Sequence, residues 1–145
     1  MRFMMLVKAT PESEAAEVMP GPEVFEAMHR YNKELIKAGV LLAADGLLPS
    51  SQGFRVAFHG SGGSPTVTDG PFTETKELLA GYWVIDVSSR EEAEEWAKRV
   101  PFQAGDVLEV RQVAETADFP EDVLPPEMAA EEQAWRDANQ RPVQG

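Results

Sequence analysis

The order of hydrophobic periodicities predicts an α+β domain: strand–helix–strand, a short hairpin, then strand–helix–strand again, forming one four-stranded antiparallel sheet. Two observations carry this expectation. Short apolar runs of period 2 alternate with two longer segments whose apolar residues recur at helical spacing. The first and third core strands are apolar on both faces, whereas two helices cover only one. This is the ferredoxin-like βαββαβ plan with an inserted hairpin, and its uncovered sheet face predicts a homodimer.

Residues 2–9 (RFMMLVKA) read as a strand with Phe3, Met5 and Val7 on one face and Met4 and Leu6 on the other. A loop through Thr10-Pro11 and Pro20-Gly21-Pro22 follows. Pro22 opens a helix with Glu23 and Glu26 near its positive end, and Gly39 closes it. Phe25, Met28, His29, Asn32, Leu35 and Ile36 share the inner face predicted for that helix. The second strand covers 40–44 and ends at Asp45-Gly46. Residues 54–58 and 66–69 form a hairpin around the flexible tip Gly60-Ser61-Gly62-Gly63-Ser64.

After the segment 69–77, a strong strand covers 81–87 (GYWVIDV), with Trp83, Ile85 and Val87 opposing Tyr82 and Val84. Ser89 caps the second helix, and Glu92 three residues on completes a capping box. Ala93, Trp96, Ala97 and Val100 make its apolar stripe, while Glu94 with Lys98 and Glu95 with Arg99 form outward pairs. Pro101 ends it, and 107–113 is the last strand. The domain therefore spans residues 1–115. Residues 116–145 are a C-terminal extension: a linker with Asp118-Phe119-Pro120 and Pro125-Pro126, then an acidic helix over 127–139 carrying Met128 and Trp135, expected to be docked or bound to a partner.

With 145 residues and an apolar fraction of 43%, the chain supports one real core. It has no Cys, which excludes disulfides, thiolate nucleophiles and Cys-based metal sites, and which fits the cytoplasm. The formal charge of −12, from 25 acidic and 13 basic residues, repels phosphate backbones and anionic lipids, so neither nucleic acid nor membrane is an expected partner. The N-terminal apolar run is too short for a signal-peptide core. No P-loop ending, nucleophile elbow or metal-ligand spacing occurs, and no cofactor or metal is expected.

The Asp69-Gly70-Pro71-Phe72 segment reads first as a rigid corner: Asp caps turns, Gly relaxes steric limits, and Pro fixes the following backbone. Phe72 is then placed to anchor the corner to the core. Thr73, Glu74, Thr75 and Lys76 add hydroxyl, carboxylate and ammonium groups that a turn does not require. His29 carries the side chain best suited to proton transfer near neutral pH, and it is also a fit structural residue on an apolar helix face. Glu109 and Arg111 alternate with Leu108 and Val110 and face either solvent or a polar cleft.

The stretch DGPFTETKELLAGYWVIDV resembles the DGPF signature of the YCII-related proteins, and YNKELIKAGVLLAADGLLPSS and EEAEEWAKRVPF match two further stretches. The resemblance covers residues 1 to about 114 and implies a dimeric α/β barrel of ferredoxin-like subunits. Many DGPF-type members are encoded beside extracytoplasmic-function sigma factors, which implies such a factor as a partner. Simpler members pair a helix His with an Asp, and some are lyases or dehydrochlorinases. His29 occupies the matching place, but the Asp-Pro-aromatic motif reads Val100-Pro101-Phe102 here.

Three functions follow from these readings. The first is a small-ligand-binding or regulatory accessory protein, with Glu74, Lys76, Tyr82 and Arg111 as ligand-binding candidates. The second is a small-molecule lyase or isomerase, with His29 as general acid/base and Asp45 or Asp69 orienting it. The third is an interaction module acting through residues 116–145.

Overall fold

The computed structural model describes residues 1–15 and 19–145; part of the loop predicted before Pro22 lies outside them. Alternation along Arg2–Lys8 (β1) buries Phe3 and Met5 and leaves Met4 and Leu6 half-buried on the other face. The first part of the predicted loop is a single helical turn, Pro11–Glu14 (α1). Thr10 accounts for it: its hydroxyl accepts the Ser13 N–H, and its own N–H donates to Ser13 Oγ at 2.8 Å.

Pro22–Lys37 (α2) has Pro at its start and is followed by Gly39 at φ 72°, a conformation open to glycine. Its buried stripe is Tyr31 and Leu35, flanked by Met28 and Ile36. This corrects the predicted inner face. Met28, Asn32, Leu35 and Ile36 face inward as expected, but Phe25 is 60% exposed and His29 is exposed, because the stripe is centred on Tyr31 and Leu35 and turns residues 25 and 29 outward. The Tyr31 hydroxyl donates to the Trp96 carbonyl at 2.8 Å, and the Trp83 indole N–H donates to Asn32 Oδ1 at 2.7 Å.

Leu41–Gly46 (β2) is followed by a hairpin of Phe54–Ala57 (β3) and Thr66–Asp69 (β4), then Leu79–Asp86 (β5), Arg90–Lys98 (α3) and Leu108–Gln112 (β6). The main sheet has the order β2-β5-β1-β6, with antiparallel neighbours throughout, while β3 and β4 form a separate two-stranded sheet. Phe3, Met5, Trp83 and Ile85 from one sheet face join Tyr31 and Leu35 of α2 and Ala93 and Trp96 of α3 in one core. Tyr31 meets both Trp83 and Trp96 edge-on, at ring-centre distances of 5.5 and 6.5 Å. Such contacts add about 0.5–1.5 kcal/mol beyond burial. The chain is thus a mixed α+β fold with antiparallel sheets.

At the start of α3, Ser89 Oγ accepts the Glu92 N–H as predicted, but the Glu92 carboxylate turns to the Ser88 N–H and hydroxyl instead of Ser89. The predicted i,i+4 pairs are replaced too. Arg90 pairs with Glu94 at 3.2 Å and Lys98 with Glu95 at 3.0 Å, while Arg99 leaves its own helix to pair with Glu34 of α2. The Arg99 guanidinium lies over the Trp96 ring at 4.2 Å, a placement that favours Glu34 as its partner.

Pro126–Asn139 (α4) buries no residue, and Trp135 is 59% exposed. The segment is tied down at its ends. Arg2 Nε pairs with Glu115 at 2.9 Å, Arg2 Nη1 donates to Gln140 at 2.5 Å, and the Val143 N–H donates to the Leu41 carbonyl at 2.8 Å. Among the described residues, no helix is long and apolar enough to cross a membrane.

Candidate functional site

The helix-free face of the sheet gathers three of the sequence-predicted residues. Register sets two rows across it: Asp45, Tyr82, Leu6 and Glu109, then Ala43, Val84, Met4 and Arg111. Because Asp45 lies directly opposite Tyr82, their side chains share a face, and the Tyr82 hydroxyl donates to Asp45 Oδ2 at 2.9 Å. That bond, reinforced by the Asp45 charge, raises the pKa of Tyr82 above the ordinary phenol range. At the outer strand, Lys8 approaches Glu109 to 3.9 Å. Arg111 stands two strands and one row from Tyr82, roughly 12 Å at the backbone, and makes no ion pair among the described residues. The face can hold a flat apolar body against Met4, Leu6 and Val84, with a phenol–carboxylate pair at one side and a guanidinium at the other.

The other sequence-predicted residues stand apart from this group. His29 is exposed on α2, the helix that packs on the opposite face of the sheet, and its ring makes no hydrogen bond to a described residue. Asp69 ends β4, exposed and opposite Phe54. Glu74, just before the helical turn Thr75–Glu77, and Lys76, within it, are both exposed. None of the four hydrogen-bonds or ion-pairs with another predicted residue, so no His–carboxylate dyad forms within the described chain.

The Asp69-Gly70-Pro71-Phe72 corner is built as a clamp, with a cis Gly70-Pro71 peptide. The Gly70 N–H donates to the Gly53 carbonyl at 3.0 Å, and a Cβ at position 70 would stand 1.9 Å from the Ser50 carbonyl oxygen. Only glycine fits there. Phe72 does not reach the core, contrary to the expectation from sequence. Its ring lies under the Arg55 guanidinium at 3.7 Å, and its N–H donates to Ser50 Oγ at 3.0 Å. Ser50 in turn binds Glu14: its N–H donates to Oε1 at 3.1 Å and its hydroxyl to Oε2 at 2.5 Å. Glu14 and Ser50 border a cleft of about 370 Å³ with Leu47, Leu48, Pro49 and Leu79. Sequence reasoning missed this pair. The Thr10-to-Ser13 capping pattern was the available sign that Glu14 belongs to an ordered turn.

A small α+β protein with an open, partly apolar sheet face and a signature corner is the class these features define. Residues 1–117 match the model of the YCII-related domain, and the chain belongs to that family. An uncharacterized protein of Rhizobium meliloti (strain 1021) is 33% identical over 75 residues, which are 52% of this chain and 59% of that protein. The chain therefore spans less than two thirds of that relative's length. Among solved structures, the 5-chloro-2-hydroxyhydroquinone dehydrochlorinase TftG from Burkholderia phenoliruptrix AC1100, in complex with 2,5-dihydroxybenzoquinone, aligns with a TM-score of 0.44 at 16% identity. That alignment covers 83% of this chain and 100% of the other.

Proposed function

We propose that this protein is a cytoplasmic homodimer that binds a small ligand between two copies of its helix-free sheet face. The observation that carries the reading is the Tyr82–Asp45 hydrogen bond on that face, in register with half-buried Leu6 and one row from Arg111. The strand order β2-β5-β1-β6 supports a ferredoxin-like subunit, and a second copy is the simplest cover for Met4, Leu6, Tyr82 and Val84. The guanidinium of Arg111, which makes no ion pair among the described residues, suits an anionic group, and the apolar centre suits a ring, so the ligand class is a small aromatic carboxylate. The role is an accessory one, and an extracytoplasmic-function sigma factor is the first partner to try. The lyase alternative draws no support from His29, which lacks an orienting carboxylate among the described residues.

Thermal unfolding with a panel of aromatic carboxylates tests the binding. A true ligand at a hundredfold excess over its dissociation constant stabilises the protein by about 2.7 kcal/mol. Arg111→Gln removes that gain, and Leu6→Glu yields a monomer by sedimentation. A wild-type monomer, or no stabilisation by any panel member, overturns the reading.

A further inference from the structure

The cleft beside Glu14 is a second place where the fold prepares a recognition group, separate from the sheet face. Three contacts fix it. Gly70 lies against the Ser50 carbonyl, the Phe72 N–H donates to Ser50 Oγ, and Ser50 gives both its N–H and its hydroxyl to the Glu14 carboxylate. Five residues of the wall, Leu47, Leu48, Pro49, Leu78 and Leu79, are apolar, and Gln52 also lines it. The cleft has a volume of about 370 Å³ and is open to solvent on the side of Leu48, which is 76% exposed.

Glu14 is half-buried and meets no Lys, Arg or His within 4 Å among the described residues, and positions 16–18 are Ala, Glu and Val. Two Ser50 donors leave about half of the carboxylate's acceptor capacity unused. A negative charge held by neutral donors against apolar walls attracts a cation that can bury hydrocarbon beside it. The surplus of acidic side chains over the whole surface raises the local concentration of such cations.

We propose that this cleft binds a small organic ammonium ion, with its N–H groups on Glu14 and its hydrocarbon body against Leu47, Leu48 and Leu79. The inference stands apart from the sheet-face reading, since neither site shares a residue with the other. It gives the signature corner a purpose beyond turning the chain: the corner positions Ser50, and Ser50 positions Glu14.

The test uses the full chain, a set of monoamines (butylamine, cyclohexylamine, benzylamine) and their matched alcohols, followed by amide chemical shifts. At least one amine should bind with a dissociation constant below about 10 mM, shift the amides of residues 47–50, and bind about tenfold tighter than its alcohol. Glu14→Gln keeps an oxygen acceptor for both Ser50 donors but loses the charge, so it should weaken the amine about tenfold and leave the alcohol unchanged. A purely structural Glu14 would leave amine binding unaltered in that variant. Equal binding of amine and alcohol, no binding by any amine, or shifts confined to the Tyr82–Arg111 face overturns the proposal.

Discussion

Tyr31 and Tyr82 are the only tyrosines in the chain, and they resist ionisation for different reasons. Burial pushes Tyr31 far up, with its hydroxyl committed to the Trp96 carbonyl. Tyr82 is raised by donating to the Asp45 carboxylate, which disfavours a second negative charge beside it. A raised folded-state pKa means the pair's contribution is present at neutral pH and is lost as pH rises through the Tyr82 titration. Tyrosinate absorbance in the native protein should therefore show one late step, from Tyr82, with Tyr31 ionising only on unfolding. Asp45→Asn should move that step to lower pH and leave the unfolding-linked one in place. An unmoved step would show that the pair does not persist in solution. At this scale the sequence was partly legible. The Asp69-Gly70-Pro71-Phe72 segment declared a corner through turn chemistry, but the group it clamps, Ser50, lies twenty positions earlier and shows no local signal. His29 and Tyr31 are two positions apart on one helix, and a small error in stripe direction exchanged the exposed residue for the buried one.

Strands and helices were the most readable level, because their periodicity is imposed by burial and recurs over many residues. β1 and β5 alternate as expected, and a shift of one residue would have turned every side chain to the wrong face. Ion pairs on α3 were not readable in this way. Long exposed side chains take whichever partner lies closest in space, and each pair contributes only about 0.3–0.5 kcal/mol, too little to impose a pattern. The cap of α3 was readable because Ser89 acts on its own next turn. Ser89→Ala should cost about 1 kcal/mol, seen as a lower urea midpoint at unchanged slope. A variant as stable as the parent would assign the helix start to the Ser88–Glu92 contacts instead.

The whole molecule divides by where its core lies. Every residue of the main core belongs to positions 3–110, and α4 adds no buried residue to it. Residues 116–145 are tied to the rest by polar contacts, Arg2 with Gln140, Arg136 at 4.0 Å from Glu115, and the Val143 N–H on the Leu41 carbonyl at the sheet edge, while Leu124 and Ala129 are half-buried. Net contributions of such bonds are about 0.5–1.5 kcal/mol each, and part of that offsets the ordering of the segment. We propose that residues 1–115 are the folding unit and the rest an appended strap, which truncation tests. A chain ended after Glu115 keeps the Arg2–Glu115 pair and all core packing, so it should unfold in one cooperative transition. Its midpoint should fall by only a few degrees, given roughly 3–5 °C per kcal/mol for a chain of this length. Calorimetry on the truncated and full chains measures this directly. A broad, low-enthalpy transition in the shortened chain would mean that the strap is integral to the fold, with Val143 pairing against β2 a necessary part of the sheet edge.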